Sequence, residues 1–250
     1  MYREWAPVPK LAGRVVCVWT QEATSAGTQP VVPDGCVDLI WGPEGPQVAG
    51  PDTGPMPVLM SPGDRYAGVR FRPGKVGEVF GVPVDALRDL RVPLSELDVL
   101  TELTTETLLE TSAVRPDRAG DTRQAPAMTP ESIVGAMQRA LAVRMRATPE
   151  PDPAAAAIAA ALRTGRSVGE VAWELGLGER QLHRRSLRSF GYGPKMLQRV
   201  VRFQRALRLA RLGVTPAEVA VASGYADQAH LANEVRRLAG MSLSRLVGRP

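Results

Sequence analysis

Arg180, His183 and Arg184 fall at i, i+3 and i+4, which puts three donor side chains on one face of a helix. Their chemistry is directional donation. A guanidinium offers a two-pronged fork to paired acceptors, such as the O6 and N7 edge of guanine or the oxygens of a phosphate. Leu182 must then point inward, with Gln181 beside the donor face and Arg185 and Arg188 turned toward phosphates. A second group, Gln228, Ala229, His230 and Asn233, offers amide and imidazole groups, with Arg236 and Arg237 behind it for phosphate. Asn pairs bidentately with adenine edges. Between the two groups, Arg199, Arg202 and Arg205 read equally well as phosphate contacts or as a solvated helix face. His183 and His230 are the only histidines, and neither has the companion ligands that a metal centre needs.

The N-terminal part offers different chemistry. Cys36, Asp38 and Ile40 alternate with Val37, Leu39 and Trp41, so a strand here has one wholly apolar face and one carrying a thiol and a carboxylate. With Trp19, Cys17, Asp34, Arg70 and Arg72, these residues suggest an effector pocket with an aromatic wall and an acidic or basic anchor. The plainer alternative makes Trp19 and Trp41 core residues. If the strands bearing Cys17 and Cys36 pair, the sulfurs approach, and a thiol switch or soft-metal site follows. Two inert buried thiols are the simpler expectation. No Gly-x-Ser-x-Gly elbow and no phosphate-binding loop occurs, so neither an enzymatic activity nor a cofactor is expected.

The elements that position these groups divide the chain. Its 250 residues admit one large domain or two ordinary ones. Residues 1–153 hold 15 Lys+Arg against 20 Asp+Glu, while residues 154–250 hold 16 against 6. The second part thus carries a net +10 and is suited to a polyanion. Nineteen of the 22 prolines precede residue 154, which leaves only the later part free to be helical throughout. Val15–Trp19, Cys36–Trp41, Val58–Met60 and Gly68–Arg72 read as short strands closed by Pro and Gly turns. A helical pattern opens near Ser95 and runs through Leu97, Leu100, Leu103, Leu108 and Leu109. Residues 111–130 read as a flexible segment, 131–146 as an amphipathic helix, and 148–153 as a stiff Pro-rich linker. The expected fold class is α+β. An N-terminal β-barrel or sandwich at 1–110 is followed by the helix and linker at 111–153 and an all-α domain at 154–250. With no membrane span or secretory signal, the expectation is a cytoplasmic protein without a membrane partner.

The all-α part contains a repeat. Val168-Gly169-Glu170-Val171-Ala172 and Pro216-Ala217-Glu218-Val219-Ala220 each lead to a glycine, Gly176 or Gly224, and then to an apolar residue. Helix, glycine stop, helix is the helix-turn-helix pattern, expected at about 167–189 and 215–238. A helix of about 19 residues from Pro194 would separate the modules by ~28 Å, close to one turn of DNA.

Residues 154–250 resemble the DNA-binding domain of AraC/XylS-type transcriptional regulators. The matching stretches are Glu170-Val171-Ala172, Arg180 to Arg185, Gly191-Tyr192-Gly193-Pro194-Lys195, Arg199 to Phe203 and Gly224 to Leu231. Residues 1–94 are similar to the front module of a group of actinobacterial AraC-type regulators, through Pro33 to Trp41 and Gly68 to Gly74. The resemblance implies double-stranded DNA as partner, contact with RNA polymerase, and a sensing or dimerising N-terminal domain. A homodimer and a small-molecule effector are the accompanying expectations. The chain departs from the family at Ser186, where Phe is usual, and at Asn233, where Arg is common. The alternatives are a constitutive binder with a merely dimerising front domain, and a cysteine-based redox sensor or alkyl acceptor. An apolar cavity of ~300 Å3 or more in the front domain would favour a sensor, and its absence a constitutive binder.

Overall fold

A computed structural model describes residues 1–103, 129–163 and 166–248. Its strands are β1 Tyr2–Trp5, β2 Val15–Glu22, β3 Gly27–Val31, β4 Asp38–Gly42, β5 Gly45–Ala49, β6 Met56–Met60, β7 Arg65–Phe71 and β8 Arg91–Pro93. Its α-helices, among the described residues, are α1 Pro130–Arg146, α2 Ala154–Arg163, α3 Val168–Glu174, α4 Glu179–Phe190, α5 Pro194–Arg211, α6 Pro216–Ala222, α7 Gln228–Ala239 and α8 Leu243–Leu246.

Six strands form one open antiparallel sheet in the order β1-β2-β7-β4-β5-β8, and β3 pairs with β6 in a separate ribbon. The N-terminal part is therefore sandwich-like, with open sheets. The ribbon sets Pro30 opposite Pro57. Proline cannot donate to a ladder, so such a pairing belongs at an edge.

The strand order overturns the expected neighbourhood of Cys17 and Cys36. β7 lies between β2 and β4 and pairs with both. Strands two places apart are ~10 Å apart, beyond the ~7 Å over which a disulfide can form. Both cysteines are free thiols.

Register assigns the two faces of the large sheet. Val18, Val69, Leu39, Val48 and Val92 stand side by side in one row across five strands. The first four are fully buried under α1, whose Val134, Met137, Leu141 and Met145 complete this core. Each such side chain adds about 1.5–3 kcal/mol of hydrophobic stabilisation. The helix at 130–146 thus belongs to the N-terminal core. On the opposite face, Arg70, Asp38, Ala49 and Arg91 share a row, and Trp19, Gly68, Ile40 and Gln47 share the next.

The helix expected from Ser95 does not form among the described residues. Leu94–Glu96 and Thr101–Leu103 are single 3-10 turns. Between them Asp98 and Leu100 take left-handed backbone, with φ of 47° and 54°, which no α-helix accommodates. Leu108, Leu109 and most of the segment expected to be flexible lie outside the described residues.

The C-terminal helices follow their caps. Ser167 and Glu170 form a reciprocal capping box at α3, and Thr215 and Glu218 form its counterpart at α6. α5 has 18 residues and spans ~27 Å. Its Leu197 and Val200 join the core of the first module, whereas Phe203, Leu207 and Ala210 join that of the second.

Candidate nucleic-acid interface and binding cavity

α4 and α7 are the second helices of the two modules, and both lie at the surface. On α4, Arg180, Arg184 and Arg188 are exposed and have no side-chain partner among the described residues. These are free guanidiniums of the kind that reads guanine or grips phosphate. On α7, Gln228, Ala229, Asn233 and Arg236 are likewise exposed.

Other residues expected at DNA have partners inside the protein. Gln181 accepts the Gly178 N–H at 3.0 Å, the return half of a capping box whose forward half glycine has no side chain to make. Arg185 donates to Asp152 at 3.0 Å and so fastens α4 to the linker. His183 lies against Gly193, where an added methyl group would meet its ring at 2.9 Å. His230 Nδ1 accepts the Ala226 N–H at 3.3 Å, and its ring meets Tyr225 edge-on. Arg199 is paired with Glu234 at 2.9 Å, and Arg237 with the same carboxylate at 3.1 Å. Arg202 donates to the carbonyls of Ser223 and Gly224 and stacks over Tyr225, its guanidinium 4.3 Å from the ring centre. Arg199 and Arg202 therefore hold α5 to the second module.

The departure at Ser186 has a local explanation. The residue is fully buried, and its hydroxyl donates to the Tyr192 carbonyl at 2.7 Å. Phe190 and Tyr192 fill the surrounding core.

A cavity of about 500 Å3 lies between the polar face of the large sheet and the β3–β6 ribbon. Its floor is aromatic. Trp19 lies flat over Gly68, where an added Cβ would fall 2.2 Å from the indole, and Tyr66 covers Gly42 in the same way at 2.9 Å. Tyr2 stands 6.0 Å from Trp19 between ring centres. The roof contributes Val31, Met56, Val58 and Met60. The side walls are ionic. Arg70 donates to both oxygens of Asp38 at 2.9–3.2 Å, and Arg91 does the same to Asp52 at 2.7–2.9 Å. Burial alone would lower the Arg70 pKa, but the adjacent Asp38 carboxylate more than offsets it and holds the guanidinium charged. The indole Nε1 of Trp19 is buried without a hydrogen-bond partner.

Of the residues expected in an effector pocket, Trp19, Asp34, Cys36, Asp38 and Arg70 line this cavity. Trp41, Arg72 and Cys17 do not. Trp41 lies beside Ala67 on the core face, and Arg72 is exposed and donates to the Ala12 carbonyl. Cys17 faces Glu4, and burial pushes its thiol up to about 11. Burial likewise raises the Cys36 thiol. Neither thiol is primed as a nucleophile. Sequence reasoning missed Tyr2, Tyr66 and the methionine roof, for which the only local signal was alternation in strands interrupted by proline and glycine.

The cavity wall touches the C-terminal helical part directly. The Tyr192 hydroxyl, fully buried, donates to the Asp52 carbonyl at 2.6 Å, while the Asp52 side chain holds Arg91. Gln204 of α5 donates to the Pro33 carbonyl at 2.6 Å, next to cavity-lining Asp34. Gly191 is left-handed at φ 74°, and a side chain there would meet Pro51 at 2.5 Å. The roof is anchored as well: Val32, just after β3, packs in the second module's core, and Pro55, just before β6, abuts Gly240.

Among the described residues no helix is long and apolar enough to cross a membrane. Residues 3–93 match a family described as a domain of unknown function, DUF6597. Residues 171–249 match a helix-turn-helix domain family. No curated protein matches the chain. Among solved structures, a probable AraC family transcriptional regulator from Rhodopseudomonas palustris is 26% identical over 37% of this chain and 91% of its own, with a TM-score of 0.32. An apo variant of ToxT from Vibrio cholerae is 12% identical over 92% of this chain and 96% of its own, with a TM-score of 0.48. ToxT with a bound unsaturated fatty acid is 9% identical over 94% and 95% of the two chains, with a TM-score of 0.46. The C-terminal part of this chain thus carries a helix-turn-helix domain, at residues 171–249, and it stands behind a DUF6597 domain at residues 3–93.

Proposed function

We propose that the protein binds promoter DNA sequence-specifically, with α4 and α7 in successive major-groove segments, and that a small molecule in the N-terminal cavity sets its affinity for DNA. The observation that carries the effector half is the shared wall: Asp52 and the Pro33–Asp34 turn line or border the cavity and accept hydrogen bonds from the DNA-binding part. α5, ~27 Å long, is a spacer of the length needed to set α4 and α7 in successive major-groove segments. An occupant that parts roof from floor pulls on both modules, because the roof is anchored to the second and the floor, through Arg91 and Asp52, to the first. Such a ligand shifts DNA affinity only by its differential affinity for the two arrangements. The cavity's volume of about 500 Å3 and its partly apolar lining support a sensor over a constitutive binder. The raised thiol of Cys17 argues against a cysteine-based acceptor. The resemblance further implies a homodimer that contacts RNA polymerase.

The test is selection of genomic fragments by the purified protein at two salt concentrations. The expected result is enrichment of fragments sharing a site of about two helical turns. Binding without enrichment, lost steeply with salt, would contradict sequence-specific recognition.

A further inference from the structure

We infer that the cavity takes an organic cation with an apolar or aromatic body, an inference that rests on reading the cavity as the effector site.

Charge decides the sign. Five carboxylates line the cavity, those of Asp34, Asp38, Glu44, Asp52 and Asp64, against two guanidiniums. Both guanidiniums are already held, Arg70 by Asp38 at 2.9 Å and Arg91 by Asp52 at 2.7 Å. An incoming anion would have to displace a bidentate carboxylate and then sit among the remaining acids. An incoming cation displaces nothing. It meets Asp34, which among the described residues pairs only with Arg70, at 3.9 Å, and Glu44 and Asp64. Low-dielectric walls focus that negative potential into the cleft.

The floor agrees with the charge. Trp19, Tyr2 and Tyr66 present ring surfaces, and the face of an aromatic ring is the negative end of its quadrupole. A cation over such a face is attracted by it, most strongly when desolvated. Met56 and Met60 give the roof the soft, adaptable lining that suits an apolar body. Trp19, 6% exposed, keeps its Nε1–H without a partner, so a hydrogen-bond acceptor on the ligand is favoured as well. The C-terminal part carries a net +10, which repels a cation from it at long range.

The test is calorimetric titration of the full-length protein with three probes of one body, phenylbutyltrimethylammonium, phenylbutanol and phenylbutyrate. The cation is expected to bind ~10-fold tighter than the alcohol, and the carboxylate weaker than both. In the double variant Glu44→Gln, Asp64→Asn the preference for the cation should fall several-fold while the alcohol is unaffected. The amide oxygen that replaces a carboxylate oxygen of Asp64 can still accept the Ser61 N–H, so the turn is kept. Tighter binding of the carboxylate or of the alcohol would overturn the cation class and leave the cavity as an effector site. Cation binding that the double variant leaves unchanged would overturn the role given to the acids. No binding of any probe would overturn the cation class and the effector reading together.

Discussion

Both recognition helices run twelve residues, α4 from its cap at Gly178 to left-handed Gly191, α7 from Asp227 to left-handed Gly240. Set on those shared ends, the helices differ where they would meet DNA. Arg180 stands where α7 has Ala229, and Arg184 stands where α7 has Asn233. Arg185, tied to the linker, stands where α7 has Glu234, the partner of Arg199 and Arg237. The first module is rich in cations and docks on the cavity wall through Tyr192 and Gly191. The second offers amides and small side chains, ties Arg237 into its own frame through Glu234, and supports the cavity roof. One repeat has thus yielded a charged module coupled to the floor and a quieter module coupled to the roof.

The largest effect expected from this difference falls on α4. Arg184→Ala should weaken specific binding by about 1–3 kcal/mol and flatten preference at one base pair. Asn233→Ala should cost less in total affinity yet relax preference for adenine at its own position. Competition binding against single-base operator variants checks both. Equal losses on specific and random DNA would refute base reading by either residue.

A smaller effect falls on the docking. Tyr192→Phe removes the hydroxyl that reaches Asp52 and leaves a buried carbonyl unpartnered, a cost of about 1–3 kcal/mol. The expected outcome in calorimetry is a melting transition that separates into N-terminal and C-terminal steps. A single, unshifted transition would show that the hydroxyl does not couple the two parts.

The smallest effect concerns the thiols. A thiol raised from 9.0 to about 11 carries ~100-fold less thiolate at neutral pH. Alkylation of Cys17 in the native protein should therefore stay slow at about pH 8 and climb only toward about pH 11, as the buried group gives up its proton. Fast labelling at the lower pH would return a redox role to consideration.

The C-terminal part was legible because its signals are local. Ser167 with Glu170, Thr215 with Glu218, and glycines at 176 and 224 mark the helix ends within a few residues. Even so, no local pattern shows that Arg199 and Arg202 are engaged by Glu234 and Tyr225, since those partners are more than twenty residues away. In the N-terminal part, alternation at 36–41 put Asp38 on the correct face. The neighbour of that strand was hidden, because β7 inserts from thirty residues downstream. The ribbon that roofs the cavity was hidden too, because Pro30 and Pro57 make its strands read as turns. Cavity walls assembled from long-range pairing leave little trace in local pattern.

The most direct test of the two-module account is a footprint of the full-length protein on a selected site, with and without Arg180→Ala, Arg184→Ala. The account predicts two protected major-groove segments about one helical turn apart, with protection lost selectively at one of them in the variant. A single protected segment, or equal loss at both, would contradict it.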